Sequence, residues 1–390
     1  MQQNFDRDFI IEEARKAWID YFDLPDEERT YFTKCIWLVN ENPFEAVHLL
    51  HEDVNKIITY LSTRKEDMLK ILDEKIVDVI LKRPWPISNI QRYDVLYSKD
   101  WGMSIVEVNS ETPAWIPESA ISGLFDTWYE NVNNWLFYSL NNRIENSRMW
   151  KDVAVLFSEE WWPEDRTNAT YIASLYISVW NPSIVNIDDV VFNELWVPTA
   201  YGKELDTIHS FYPLEWIFQD EGWDEFWSNY IKGNFDLVAW PINLISQSKA
   251  FRAWIYENEE RLLEEKVIGS FDMIRNFVPK YYFTEQPNTI SKPRLYREGV
   301  GIGEDMEWNV YQELIDQKEF QVETYEWTKT GYITLWIYCD SERPIWAYCR
   351  FCESKITDYT AYYLSLYYSY ENEKTINLNE FSRNVNSWMM

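Results

Sequence analysis

Ten glycines serve a chain of 390 residues, and three of them, Gly299, Gly301 and Gly303, fall within five positions. A sequence this poor in glycine concentrates it only where the backbone must adopt positive φ or lie against something bulky. The stretch reads Ile290-Ser-Lys-Pro-Arg-Leu-Tyr-Arg-Glu-Gly-Val-Gly-Ile-Gly303, so Lys292, Arg294 and Arg297 precede the cluster, in a chain whose formal charge is −29. Backbone N–H groups unobstructed by Cβ, with cations in reach, are what a phosphate chain requires. The spacing departs from G-x-x-x-x-G-K-[ST] and therefore excludes a Walker P-loop. By itself the stretch is equally compatible with a surface hairpin carrying solvated basic residues.

Apolar residues make up 46% of the chain, with 22 Trp, 27 Tyr and 20 Phe, enough for a large core and two or three packed subdomains. The acidic excess argues against a nucleic-acid face and is compatible with small cationic partners. No run of about 18 apolar residues occurs, so no membrane span is expected. Met1-Gln-Gln-Asn-Phe-Asp-Arg-Asp8 lacks a basic segment followed by an apolar one, and the expectation is a cytoplasmic protein without a leader. Cys35, Cys339, Cys349 and Cys352 include a single C-x-x-C, which points to buried free thiols in a reducing compartment, not to a zinc site. His48 and His51 share a helix face but have no third ligand at a clear spacing, and read as core or surface histidines.

Residues 8–82 read as helical throughout. Phe9, Ile10, Ala14, Ala17, Trp18 and Tyr21 fall at helical spacing, as do Val54, Ile57, Ile58 and Leu61, and Met68 through Ile80. Arg83-Pro-Trp-Pro86 ends this segment, because neither proline can continue a helix. Tyr93–Tyr97 and Ser104–Asn109 then read as a hairpin. A helix over Glu118–Leu140, a strand over 152–157, a helix near 170–179 and strands at 185–191 and 194–197 give an alternating α/β pattern. A strand at 235–240 and a helix over 246–265 follow. Strands dominate from Lys280, at 309–313, 319–328, 332–339 and 344–351, and the acidic tail from Glu371 reads as a solvated end with a short helix. The division expected is a helical segment 1–82, an α/β part 83–270 bearing metal and substrate groups, and a nucleotide-binding part 271–390 with the glycine lid, all in one compact unit.

The hairpin carries the first chemical constellation. Glu107 and Asn109 stand at i and i+2 and share a face, and the partner strand can set Asp94 opposite them. Two carboxylates and an amide oxygen are hard ligands suited to Mg²⁺. Arg92 lies on the face of Asp94, where it can steady a transferring phosphoryl group.

Arg92-Tyr-Asp94 with Val106-Glu-Val-Asn-Ser-Glu-Thr-Pro113 resembles the R-F-D and L-E-Y-N-A-D-T-P motifs of the glutathionylspermidine synthase family, ATP-grasp ligases with permuted parts. The resemblance continues in order through Glu164-Asp-Arg-Thr167, Tyr212-Pro-Leu-Glu-Trp216, Ser246-Gln-Ser-Lys-Ala250, Phe277-Val-Pro-Lys-Tyr-Tyr282, Ser291 to Gly299, Val310-Tyr-Gln-Glu313, and Arg350 with Ile356-Thr-Asp358. It implies a permuted ATP-grasp α/β fold with mixed and antiparallel sheets, and an ATP-dependent carboxylate-amine ligase working through an acyl phosphate with Mg²⁺. On that resemblance Asp94, Glu107 and Asn109 hold the metal. Lys249, Lys292, Arg297 and Gly299 meet the nucleotide phosphates, and Gln312 and Glu313 form the hinge at adenine. Arg92 and Arg350 are the catalytic cations, while Thr112, Glu164 and Asp165 face the substrates, a peptide-like acid and an amine.

Tyr296 stands where the family has a lid glycine, Arg294 replaces an apolar residue, and Phe351-Cys-Glu353 replaces an acidic run. The family's N-L-S-R-F stretch has no counterpart after Thr357. These departures leave open a relative that holds nucleotide without turnover, or an interaction protein that keeps only the fold. No cysteine-amidase segment accompanies the motifs, so the expectation is the synthetase unit without the bifunctional form. A homodimer is neither required nor excluded.

Overall fold

The computed structural model describes residues 12, 32–39, 42–84, 90–100, 102–113, 152–159, 163–176, 181–194, 197–220, 223–238, 240–295, 299–304, 306, 308–325, 327–340, 343–357, 361–368 and 374–377. The expected helix over Glu118–Leu140 and the apolar face from Phe9 to Tyr21 lie outside them.

In chain order, β1 (Phe32–Val39) precedes α1 (Asn42–Leu61) and α2 (Glu74–Lys82), and the hairpin β2 (Gln91–Tyr97) and β3 (Met103–Asn109) follows. Next come β4 (Asp152–Phe157), α3 (Pro163–Tyr176), β5 (Asn181–Asn186), β6 (Val191–Phe192), β7 (Pro198–Ala200), β8 (Lys203–Glu204) and β9 (Thr207–Ser210). Then α4 (Asp224–Lys232), β10 (Asp236–Leu237), α5 (Lys249–Glu257) and α6 (Asp272–Phe277) lead to β11 (Tyr281–Tyr282), β12 (Thr289–Pro293) and β13 (Asn309–Glu313). The chain closes with β14 (Phe320–Glu323), β15 (Thr328–Cys339), β16 (Pro344–Cys352), β17 (Tyr362–Tyr368) and β18 (Lys374–Asn377).

An eight-stranded mixed sheet runs β18-β1-β17-β16-β15-β2-β3, with β14 paired to β15. Beside it stand a four-stranded sheet β10-β9-β4-β5, whose pairs are parallel, and the three-stranded antiparallel sheets β11-β13-β12 and β6-β7-β8. The mixed α/β class and the mixed and antiparallel sheets are those expected.

Several boundaries differ. Residues 8–82 are not helical throughout: Phe32–Val39 is a strand, parallel to β17 and antiparallel to β18. Its residues Phe32, Cys35, Ile36, Trp37 and Val39 contain apolar positions that fit a helical count as well as an alternating one, and pairing with distant residues decides between them. Within the expected solvated tail Lys374–Asn377 is a strand, antiparallel to β1, and the short helix expected at the end of the tail lies outside the described residues. The strands expected at 185–191 and 194–197 are replaced by β5, a 3₁₀ turn over Ile187–Asp189, and β6. The strand expected at 235–240 shrinks to Asp236–Leu237.

The alternation of β2 sorts its residues onto two faces. Tyr93 and Val95 turn toward α1, where Val47, Leu50, Val54, Ile57 and Ile58 are buried. A bulge at Val106, between the pairs Asp94↔Glu107 and Val95↔Ile105, keeps Ile105 and Val108 on that apolar side and sends Glu107 to the other. Under the sheet His51, Asn55, Gln91 and Tyr93 close a ring of hydrogen bonds. Asn55 Nδ2 donates to His51 Nε2 (2.9 Å), and His51 Nδ1–H donates to Tyr93 Oη (2.9 Å). Tyr93 O–H donates to Gln91 Oε1 (3.2 Å), and Gln91 Nε2 donates to Asn55 Oδ1 (3.1 Å). Each group both gives and accepts once, which fixes His51 as the neutral Nδ1–H tautomer. The ring anchors β2 to α1 on either side of Arg92.

Tyr93→Phe leaves the His51 N–H and Gln91 Oε1 buried without this partner. Urea unfolding is expected to show a loss of about 1–3 kcal/mol; unchanged stability would mean the ring does not hold β2.

Candidate functional site

The face of β2 opposite α1 gathers charge. Arg92 binds Asp94 through two parallel bonds, Nε to Oδ1 at 2.8 Å and Nη2 to Oδ2 at 3.1 Å. Across the ribbon Asp94 pairs with Glu107 and Arg92 with Asn109. On the other side Asp94 pairs with Trp336 of β15, and the Arg92 guanidinium carbon lies 3.7 Å from the indole centroid. Arg350 of β16, 2% exposed, has its guanidinium carbon 5.0 Å from the same indole. One tryptophan thus carries both arginines, and Tyr348 stacks beside it at 5.3 Å.

The start of α5 meets this face from the edge at β3. Lys249 Nζ, 3% exposed, donates to Glu107 Oε1 at 3.0 Å. Gln247 bridges the end of β3: its Nε2 donates to Asn109 Oδ1 (3.2 Å) and its Oε1 accepts from the Ser110 N–H (2.9 Å). Ser248 Oγ donates to the Ile71 carbonyl, which fixes the approach to the helix. The Lys249 N–H donates to the Arg294 carbonyl at 2.9 Å, tying α5 to the segment that leads into the glycines.

The small sheet supplies the third wall. Tyr281, Gln312 and Ile290 are neighbours across β11-β13-β12, and Lys292 stands two residues beyond Ile290, on the same face. Tyr281 donates toward Gln312 Oε1 and the Val106 carbonyl, so this face abuts the bulge of β3. Past Lys292 the chain turns through Gly299, Gly301 and Gly303, with φ of 72°, 72° and 84°, as the glycine spacing requires. The Gly303 N–H returns to the Ser291 carbonyl at 2.9 Å, beside Lys292. A Cβ on Gly299 would stand 2.7 Å from Ile356 Cγ2, so the turn is packed against the segment after β16.

These groups alter one another's charge. Burial pushes the Glu107 carboxyl up, but Lys249, Lys292 and Arg252 overcome it and hold the group at about 2. Burial brings Lys292 down to about 8, with Lys249 and Arg252 adding to the effect and Glu107 and Asp94 opposing it. Asp94 and Lys292, remote in sequence, therefore act within one electrostatic cluster.

Of the other expected residues, Thr112 is half-buried just beyond β3. Glu164 and Asp165 open α3 beside β4, on the four-stranded sheet. Glu313 is exposed on the face of β13 away from Gln312. Tyr296, Arg297 and Asp358 lie outside the described residues, as does the Glu164 side chain. Arg252, Trp336, Tyr281 and Gln247 join the site although the chemistry first read from the sequence assigned them no role. Arg252 had a signal: it is a lone cation three residues after Lys249, in the otherwise apolar run Ala250-Phe-Arg-Ala-Trp-Ile255. The four cysteines are buried free thiols, as expected. No described helix is long and apolar enough to cross a membrane.

The donor set fits a polyanion with a hard cation. Asp94, Glu107 and Asn109 bring oxygens together on one face of the ribbon, the two carboxylates each already facing a cation. Asn109 Nδ2 and both Nη atoms of Arg252 are buried without a hydrogen-bond acceptor among the described residues. That surplus of donors is what a chain of phosphate oxygens would satisfy.

Lys249→Met strands the Glu107 carboxylate. Because the lowered Glu107 group stabilises the folded state above pH 4.5 and loses that contribution as pH falls toward 2, the variant's deficit is expected to be largest at neutral pH. It should reach about 3–5 kcal/mol there and shrink on acidification. A deficit independent of pH in urea titrations would contradict the pairing.

Comparison with known proteins places this fold. A glutathione synthetase-like effector from Globodera pallida, solved in its apo form, superposes with a TM-score of 0.56 at 10% identity, covering 94% of this chain and 98% of its own. A gamma-glutamylcysteine synthetase-like protein from Methylobacillus flagellatus KT gives 0.41 at 11% identity, covering 77% and 83%. A search of curated protein sequences finds no match. The family model described as glutathionylspermidine synthase preATP-grasp matches residues 20–367. The architecture is that of the ATP-grasp-related synthetases, and the chain belongs to the glutathionylspermidine synthase preATP-grasp family.

Proposed function

We propose that the protein is an ATP-dependent ligase that joins a peptide-like carboxylate to an amine. The observation that carries this reading is the buried cluster in which Glu107, opposite Asp94 on a β-ribbon, is held ionised by Lys249 and lies in the field of Lys292 from the glycine-bearing sheet. Membership of a synthetase family and a synthetase-like fold support the ligase class.

Asp94, Glu107 and Asn109 would hold Mg²⁺, with Lys249 and Lys292 on the nucleotide phosphates and Gln312 with Glu313 at the hinge by adenine. ATP supplies the phosphoryl group that turns a carboxylate, a poor electrophile, into an acyl phosphate. The chain's own part is positioning and charge. Arg92, locked by Asp94 and the Trp336 face, and Arg350, over the same indole, present fixed cations to developing negative charge. Thr112, Glu164 and Asp165 are the groups we assign to substrate binding, the acidic pair drawing in a cationic amine and offering a proton acceptor. Arg297 and Gly299 would close the turn over the phosphates. The protein works in the cytoplasm in this reading, as a monomer or a homodimer, with no nucleic acid and no membrane partner.

Release of ADP and phosphate on mixing Mg·ATP with pairs of peptide acids and amines tests the reading, with product identified by mass. Turnover with one pair supports it; tight Mg·ATP binding without turnover for any pair would instead identify a nucleotide-holding relative. Glu107→Gln is expected to lower kcat by about 10³-fold or more with the circular dichroism of the folded protein retained, although Lys249 loses its counter-charge and the melting temperature falls. Retained activity would remove Glu107 from the metal site. Lys292 adds a pH signature. The ammonium form binds phosphate, and its group sits at about 8 in the free protein. Affinity for ATP should therefore be level below pH 8 and fall above it, by up to about tenfold per pH unit, with proton uptake in calorimetry. A flat profile from pH 7 to 9.5 would contradict the assignment.

A further inference from the structure

Arg252 is the one charged side chain of the cluster that the family reading leaves without a task. It is 4% exposed, and neither Nη atom has a hydrogen-bond acceptor among the described residues. Burying a guanidinium without a counter-ion is strongly unfavourable, and nothing in the local packing asks for one: its neighbours on α5 are Ala250, Phe251, Ala253, Trp254 and Ile255, all buried. Lys249 is already satisfied by Glu107, and Arg92 by Asp94. Lys292 makes no ion pair with a described carboxylate at salt-bridge distance.

The placement of Arg252 is set by the walls around it. It lies one helical turn beyond Lys249, on the same side of α5. Its guanidinium carbon is 5.6 Å from the Tyr281 ring centroid. Tyr281 is the lateral neighbour of Gln312 and, through it, of the strand that carries Lys292, and its hydroxyl reaches the Val106 carbonyl next to Glu107. Arg252 thus stands between α5 and the seam where Tyr281 meets β3, while part of its side chain lines a small apolar cavity with Leu50, Val54, Ile105 and Val108 on the α1 side. The mutual repulsion of Arg252 and Lys292, which helps to lower Lys292, agrees with their proximity.

We propose that Arg252 and Lys292 form a seat for a phosphoryl dianion, with the two Nη atoms of Arg252 donating to its oxygens. Arg252 and Lys292 share the field of Glu107 but neither makes an ion pair with it at salt-bridge distance, so a dianion would still meet excess positive charge, and a guanidinium fork suits two oxygens of one phosphorus. The proposal rests on the nucleotide reading for the identity of the polyphosphate but not for the seat itself, which any inorganic polyphosphate of that chemistry would fill.

The test compares wild type, Arg252→Met and Arg252→Lys by calorimetry and thermal unfolding, with inorganic tripolyphosphate and Mg·ATP as probes. Wild type is expected to bind both. Arg252→Met should melt at the same temperature as wild type or higher without ligand, because an uncompensated buried charge has gone, and should bind tripolyphosphate at least tenfold more weakly. Arg252→Lys should fall between them. Equal tripolyphosphate affinity in wild type and Arg252→Met would overturn the seat. So would a clear drop in the ligand-free melting temperature of Arg252→Met, or its failure to fold, since either gives the guanidinium a structural role. Tripolyphosphate binding that depends on Arg252, in a protein that ignores Mg·ATP, would keep the seat and remove the nucleotide reading. Mg·ATP binding indifferent to Arg252 would do the reverse.

Discussion

The ion pair between Glu107 and Lys249 is the interaction on which the rest of the site depends. An ammonium as deeply buried as that of Lys249 is not tolerated alone, and Lys249 reaches the half-buried Glu107 only because α5 starts where the Arg294 carbonyl and Ser248 place it. A pair of apolar residues of similar volume would stabilise a seam of this kind as well or better. On the proposed function, charge at this place serves the nucleotide phosphates as well as the fold. The pair keeps Glu107 ionised over the physiological range, and it joins three pieces that are distant in sequence: the β2-β3 ribbon, the start of α5 and the sheet that carries Lys292.

The period of two along a strand does the sorting. In β2 the odd residues Gln91, Tyr93 and Val95 face α1 and are held there by the His51 ring and by apolar burial. The even residues Arg92 and Asp94 have no choice but the other face, where Trp336 of the neighbouring strand receives them. The bulge at Val106 carries this logic into β3, since without the extra residue either Ile105 or Glu107 would face the wrong side. The core and the charged site are thus two faces of one set of strands. A change that slips the register would damage both together.

Much of this arrangement was legible in the sequence. The strand-turn-strand pattern gave the hairpin and set Asp94 opposite Glu107, because local alternation determines both. Gly299, Gly301 and Gly303 announced positive φ, and all three have it. What escaped were features fixed by distant partners. Phe32–Val39 reads as readily helical as extended, and becomes a strand only because β17 and β18 lie on either side of it. Trp336 is one of 22 tryptophans; its position opposite Asp94 depends on which strand neighbours β2, which no local pattern carries. Arg252 was visible as a cation on an apolar helix face, but its lack of a counter-charge is a property of the assembled seam.

The central claim is that the ribbon and the glycine-bearing sheet close on one polyphosphate. Anomalous scattering from crystals grown with Mn²⁺ and a non-hydrolysable ATP analogue tests it most directly. The account predicts a manganese peak within bonding distance of Asp94 or Glu107, with the analogue's phosphates between it and Lys249 and Lys292. A peak elsewhere, or phosphates lying outside the space between β3 and β12, would contradict it.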